Sequence, residues 1–223
     1  MSSSNDYCSY PIPALDANDI VLSSSEIHQT ILKYCVRRNF ENQTTLMREG
    51  SPNRAIYYIE SGYAYLYHYH DKKLFVPFLV GRGHWITDKR SFYNSTSEAI
   101  SVSHENLVAA QGAVLQELSI ENYHRLIAEQ RYLEPLIHKK RVEILEDMYS
   151  SLIFLKDANA QKKVEWLLDV YHGILNSVPQ YILASFLGMK EETFSRKLRE
   201  LLELQIAERQ SSSSDETRLH EKT

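Results

Sequence analysis

The residues best suited to chemistry lie in one run near the C-terminus. Lys190, Glu191, Glu192, Thr193, Ser195, Arg196 and Arg199 bring two guanidinium groups, two carboxylates, an ammonium group and two hydroxyls into a short segment. Phe194, Leu198, Leu201 and Leu202 recur through it at helical spacing, so the polar set is expected on the opposite face. Guanidinium and carboxylate groups on one exposed helix face suit hydrogen bonding to base edges and phosphates. They do not form a nucleophile with its base, and no Gly-rich phosphate loop is present. The chain is therefore not expected to be an enzyme.

A positioning element precedes this run. Pro179 suits the start of a helix, because its missing N–H is not needed there. Ile182, Leu183, Phe186 and Leu187 continue as an apolar stripe. Gly188 stands where a left-handed residue ends a helix, and a second helix is expected to begin near Lys190. Two helices around a short glycine-containing turn have the form of a helix-turn-helix, whose second helix enters the major groove. Gln180, at the start of the first helix, joins the DNA-facing set. An ordinary helical hairpin inside a bundle shares this local pattern.

A second candidate constellation lies upstream. Gly62, His68, His70 and Gly81 match part of a cupin metal-binding pattern, and two histidines at i and i+2 share a strand face. The acid expected shortly after is replaced by Leu74 and Phe75. No third histidine segment follows, so no metal is expected. Cys8 and Cys35 lack partners at metal-ligand spacing and read as free thiols.

The 223-residue chain has a formal net charge of −4. DNA affinity rests largely on phosphate neutralisation, so binding needs a locally basic face. Residues 156–210 hold eight basic and eight acidic side chains, and residues 190–200 hold four and three. Modest affinity with strong salt dependence is the expectation. No apolar run is long enough for a membrane helix, and the N-terminus lacks a secretory signal, so no membrane partner and a cytoplasmic location are expected.

Residues 1–19 read as a flexible lead-in. Ser25 is an N-cap candidate for a helix over 26–34. Short strands follow over 55–60, 63–70, 74–80, 107–110 and 113–118, separated by Gly and charged turns. Tyr63, Tyr65, Tyr67 and Tyr69 fall on one strand face. This pattern predicts a small antiparallel barrel or jelly roll. Helices follow over 121–129, 132–155 and 157–175. Ile137, Arg141, Ile144, Met148, Leu152 and Leu155 of the long helix form a candidate seam with a second copy of the chain. The fold class is α+β: a sensor-type barrel over 20–130, a dimerisation helix over 131–155, a helix-turn-helix domain over 156–210 and a tail over 211–223.

The order barrel, long helix, helix-turn-helix resembles the Crp–Fnr family of bacterial transcription regulators. The residues that carry the resemblance are I-Y-Y-I-E-S-G-Y-A-Y-L-Y (56–67), the long helix and L-A-S-F-L-G-M-K-E-E-T-F-S-R-K-L-R-E-L (183–201). The resemblance implies a homodimer on double-stranded DNA with a pseudo-palindromic site, and RNA polymerase and a small-molecule effector as further partners. It implies that Glu192 accepts from a cytosine amino group, that Arg196 contacts guanine or phosphate, and that Thr193 and Ser195 contact phosphate. Glu191 stands where the family often has Arg, so the usual operator is not expected. Only one short strand, over 204–209, stands where a wing would follow. The family's cyclic-nucleotide site needs a Gly-Glu pair and a phosphate-binding Arg. Here Gly83, His84 and Trp85 occupy the first segment, and Ser97, Glu98 and Ala99 the second. A Glu beside a phosphate is repulsive. These six residues are the candidate pocket, and no cyclic nucleotide or other cofactor is expected in it. Two other readings are a ligand-sensing barrel protein with decayed DNA binding that acts through protein contacts, and a cupin-like metal-binding protein.

Overall fold

The structure is a computed structural model. It describes residues 24–94 and 99–204, without the side chains of residues 24, 93, 94, 138, 140–145, 147 and 148. The expected lead-in over 1–19 and tail over 211–223 lie outside the described residues.

The strand region forms two antiparallel four-stranded sheets among the described residues. The strands are β1 (Val36–Phe40), β2 (Thr44–Met47), β3 (Ala55–Ser61), β4 (Ala64–His70), β5 (Lys73–Val80), β6 (Trp85–Ile86), β7 (Asn106–Ala109) and β8 (Ala113–Ser119). One sheet has the order β1-β8-β3-β6 and the other β2-β7-β4-β5. This is the jelly-roll arrangement expected from the short, evenly spaced strands.

Side-chain alternation along each strand sorts the apolar residues into three layers. Ile59, Ala64, Leu66, Ile86, Leu107 and Leu115 meet between the sheets. Ile56 and Leu118 point out of the first sheet and pack with helical residues Leu126 and Leu133. Tyr65, Val76, Leu79 and Val108 point out of the second sheet and pack with Val164, Leu167, Leu183 and Phe194 of the C-terminal helices. The tyrosine face of β4 is thus an inner boundary between the jelly roll and the helical region.

Two turns constrain backbone chemistry. Gly62 has φ 77, and a Cβ there would meet Ala113 Cα at 2.8 Å, so no other residue fits without movement. The β4–β5 hairpin pairs His70 with Lys73 across a two-residue loop. Both loop residues, Asp71 (φ 49) and Lys72 (φ 63), are left-handed without being glycine. Two positive φ values define the hairpin turn that Asn-Gly favours, and each non-glycine residue there costs about 1 kcal/mol.

The helices are α1 (Ser24–Leu32), α2 (Lys89–Asn94), α3 (Ile120–Glu129), α4 (Leu133–Asp157), α5 (Ala160–Val170), α6 (Gln180–Phe186) and α7 (191–204). The side chain of Ser119 caps α3 by accepting from the Asn122 N–H at 3.1 Å, and Asn159 caps α5 in the same way through Lys162. α4 is about 37 Å long at 1.5 Å per residue.

Three sequence expectations shift. The first helix begins at Ser24 and ends at Leu32, with Tyr34 and Cys35 turning away through bonds to Ile31 and Leu32 carbonyls. The helix expected over 157–175 is split. It stops at Val170, and left-handed Gly173 (φ 78) starts a separate 3₁₀ turn at Ile174–Asn176. The strand expected from Leu204 does not begin there, because Leu204 is still helical; residues 205–209 lie outside the described residues.

Candidate nucleic-acid interface

α6 and α7 are joined as a helix-turn-helix requires. Pro179 precedes α6 with extended φ and ψ. At the other end Gly188 has φ 67. Its N–H donates to the Ser185 carbonyl at 3.1 Å, and the Met189 N–H donates to the Ala184 carbonyl at 3.0 Å. This pair of bonds is the Schellman C-cap, which needs a left-handed residue at the glycine position. Lys163 of α5 adds a bond from Nζ to the Leu187 carbonyl at 3.4 Å, placing a cation at the negative end of α6.

The turn aims α7. Phe194 is fully buried, with Leu198 and Leu201 nearly so, and they share one core with Ile182, Leu183 and Leu187 of the α6 region. That anchoring leaves the other face free. Glu191, Glu192, Arg196 and Arg199 are exposed, Thr193 and Ser195 half-buried, and Lys190 and Gln180 exposed at the two helix starts. Glu192, Ser195, Arg196 and Arg199 follow i, i+3, i+4 and i+7 spacing, so they share one face. The acids of the first turn face the positive helix end. Lys197 does not join that face as a free cation: its Nζ lies 2.6 Å from Glu200 Oε2. That bond and the nearby charge of Lys197 hold the Glu200 carboxyl below its usual range.

The C-terminal helical region is fixed to the jelly roll by three side-chain to backbone bonds. Ser185 Oγ donates to the Leu74 carbonyl at 3.0 Å. Tyr171 Oη donates to the Leu79 carbonyl at 3.1 Å. Tyr63 Oη donates to the His172 carbonyl. Burial pushes the Tyr171 hydroxyl up to about 12, so it remains a donor at all ordinary pH values. Trp166, Tyr171 and Phe186 form an aromatic cluster beside these bonds, with ring centroids 5.9 to 6.3 Å apart.

Four of the six candidate pocket residues lie among the described residues. Gly83 and His84 are exposed, and Ala99 is exposed. Trp85 points out of its sheet, 5.3 Å from the Tyr58 ring, while its neighbour Ile86 points between the sheets. Ser97 and Glu98 lie outside the described residues. Sequence reasoning missed the polar cluster that occupies this end of the jelly roll. Buried Asn53 donates through Nδ2 to Thr87 Oγ1, to the Asp88 carbonyl and to Ser91 Oγ, each at 2.9 Å. Asp88 accepts from the N–H groups of Arg90, Ser91 and His104 and from the Ser103 hydroxyl. Burial raises the Asp88 carboxyl, but these bonds outweigh it and hold it below its ordinary value. Four donors occupy this carboxylate within the chain. The available signal was a Thr-Asp pair directly before a short helix, an N-cap pattern.

The histidines of the cupin-like pattern part company. His68 is not at an exposed strand end. Its ring stacks on Phe75 at 5.6 Å, and its Nδ1 lies 3.7 Å from Glu105 Oε1. His70 is exposed, with Nε2 3.5 Å from Asp71 Oδ2. Among the described residues, no three His, Cys, Asp or Glu side chains gather as metal ligands. Cys35 is part-buried, and burial pushes its thiol up to about 12, which leaves it unreactive.

Of the seam residues on α4, Ile137 packs with the α3 cluster and Leu155 with the C-terminal core, both within the same chain. Leu152 is exposed, beside exposed Tyr149 and Ile153. The side chains of Arg141, Ile144 and Met148 lie outside the described residues. Among the described residues, no helix is long and apolar enough to cross a membrane.

No family model and no curated protein matches the chain. Solved structures do. The c-di-GMP-responsive global regulator CLP of Xanthomonas campestris is 20% identical with a TM-score of 0.58, covering 80% of this chain and 91% of its own. FixK2 of Bradyrhizobium japonicum is 13% identical with a TM-score of 0.59, covering 77% and 86%. A structure from Eubacterium rectale described as a Crp/Fnr family transcriptional regulator is 14% identical with a TM-score of 0.54, covering 81% and 84%. At such identities the likeness establishes architecture. The structural neighbours of this chain are regulators of the Crp/Fnr family, and it has their fold.

Proposed function

We propose that this chain is a sequence-specific DNA-binding transcription regulator. The observation that carries this reading is the α6–Gly188–α7 unit, whose buried Phe194 and Leu198 turn Glu192, Ser195, Arg196 and Arg199 outward together. Arg196 and Arg199 are suited to guanine or phosphate, and Glu192 to a cytosine amino group. Lys190, Thr193, Ser195 and Gln180 supply backbone contacts. Glu191 adds a second acid at the entry to the groove, so a site rich in exposed cytosine amino groups fits better than one read by an arginine there.

The active form in this reading is a dimer. Tyr149, Leu152 and Ile153 leave three large apolar side chains exposed on neighbouring turns of α4. A second copy covers this stripe and sets two α7 helices about one helical turn of DNA apart on a pseudo-palindromic site. The Ser97-Glu98-Ala99 segment, which stands where the family's phosphate-binding arginine is expected, favours a protein that does not depend on a cyclic nucleotide. The test is a binding assay on DNA from upstream of the chain's own coding sequence, against a scrambled duplex, over a range of salt. Specific binding that weakens steeply with salt supports the proposal, and equal affinity for both duplexes overturns it.

A further inference from the structure

The β4–β5 hairpin combines two features. Its tip carries two left-handed residues that are not glycine, Asp71 and Lys72. Glycine is the least strained residue at such positions, and backbone strain that persists commonly marks a functional site. The tip is also placed beside the DNA-facing unit. Leu74, next to Lys73, accepts from the Ser185 hydroxyl at 3.0 Å. Ser185 lies in the last turn of α6, directly before the turn that launches α7. Leu74 and Met189 belong to one apolar cluster, and Lys190 follows Met189.

The chemistry at the tip is cationic. Lys72 and Lys73 are both exposed. Lys73 rests over the Phe75 ring at 5.2 Å, which steadies its stem while leaving the ammonium at the surface. The one acid at the tip, Asp71, has His70 as its neighbour at 3.5 Å. The exposed face of α7 pairs Glu192 with Arg196 and Arg199 and so carries little net positive charge. DNA binding requires phosphate neutralisation from somewhere on the surface.

We propose that the hairpin tip is a second DNA-contacting element, in which Lys72 and Lys73 bind backbone phosphates flanking the groove entered by α7. This inference rests on the DNA-binding reading of α7. The contact is electrostatic and independent of sequence, so it contributes affinity and leaves base selection to α7.

The test uses the full chain, the upstream duplex and its scrambled counterpart. Lys72→Ala with Lys73→Ala removes four lysines from the dimer, so it is expected to lower the slope of log affinity against log salt by about 4 and to weaken both duplexes equally. Lys72→Gly separates structure from function, because it relieves the left-handed strain. It is expected to raise the melting temperature while lowering the salt slope by about 2, one contact from each copy of the dimer. An unchanged slope in both variants, with the unaltered chain still preferring the upstream duplex, overturns the hairpin contact and leaves the DNA-binding reading standing. Failure of the unaltered chain to bind either duplex overturns both.

Discussion

The Ser185 hydroxyl donates to the Leu74 carbonyl oxygen at 3.0 Å, joining the first helix of the helix-turn-helix to a strand of the jelly roll. Together with the Tyr171–Leu79 and Tyr63–His172 bonds, it sets the orientation of α6 against the second sheet. The core beneath is shared. Tyr65 of β4 is 1% exposed and Leu183 of α6 is fully buried, and both belong to one apolar cluster.

Tyr171→Phe tests this joint. It keeps the ring and removes the donor, leaving the Leu79 carbonyl without that bond. A loss of about 1–2 kcal/mol in chemical denaturation is expected. Because the core is shared, jelly roll and helical region are expected to unfold in one transition. Two separated transitions contradict the shared core.

Gly188→Ala tests the turn. Nothing lies within 4 Å of a Cβ at this position, so the substitution meets no neighbour, but φ is 67. The penalty is confined to the backbone and is expected at about 1 kcal/mol, visible as a lower melting temperature. An unchanged melting temperature rules out the left-handed cap.

The polar end of the jelly roll gives opposite pH signatures for its two acids. Burial and then the neighbouring charge of Asp88 raise the Glu105 carboxyl, against the lowering effect of His68, Arg90 and His104. A raised folded value means that stability is complete below the unfolded value and declines as pH rises through the folded one. Glu105→Gln is therefore expected to stabilise the chain at neutral pH and to have little effect near pH 3. Asp88 is held low, so its contribution is present above an unfolded value of about 3.9 and is lost as pH falls through the folded one. Thermal melts across pH check both signs, and destabilisation by Glu105→Gln at neutral pH contradicts this account.

The exposed stripe on α4 predicts the assembly. Leu152→Asp with Ile153→Asp is expected to convert a dimer into a monomer by sedimentation, without lowering the helix content. A chain that is monomeric before substitution removes the dimer from the proposal.

The fold was largely readable because its signals are local. Alternation in β4 separated Ala64 and Leu66 from the tyrosines, and the apolar spacing around Gly188 marked the helix-turn-helix. What escaped was non-local. The four tyrosines were recognisable as one face, but nothing in their spacing says that the C-terminal helices cover Tyr63, Tyr65 and Tyr67 and leave Tyr69 exposed. The Asn53–Asp88–Ser103 cluster draws on three separate chain segments, so no short motif encodes it. The break at Gly173 was missed because the apolar period runs on through Ile174 and Leu175 while the backbone changes hand.

The central claim is that the outward face of α7 reads DNA sequence. Arg196→Ala measures it most directly, because Arg196 is exposed and its removal leaves the core intact. In a binding assay on the upstream and scrambled duplexes, the account predicts a loss of about 1–3 kcal/mol in preference for the upstream duplex, with the melting temperature unchanged. Retention of the full preference by Arg196→Ala would contradict it.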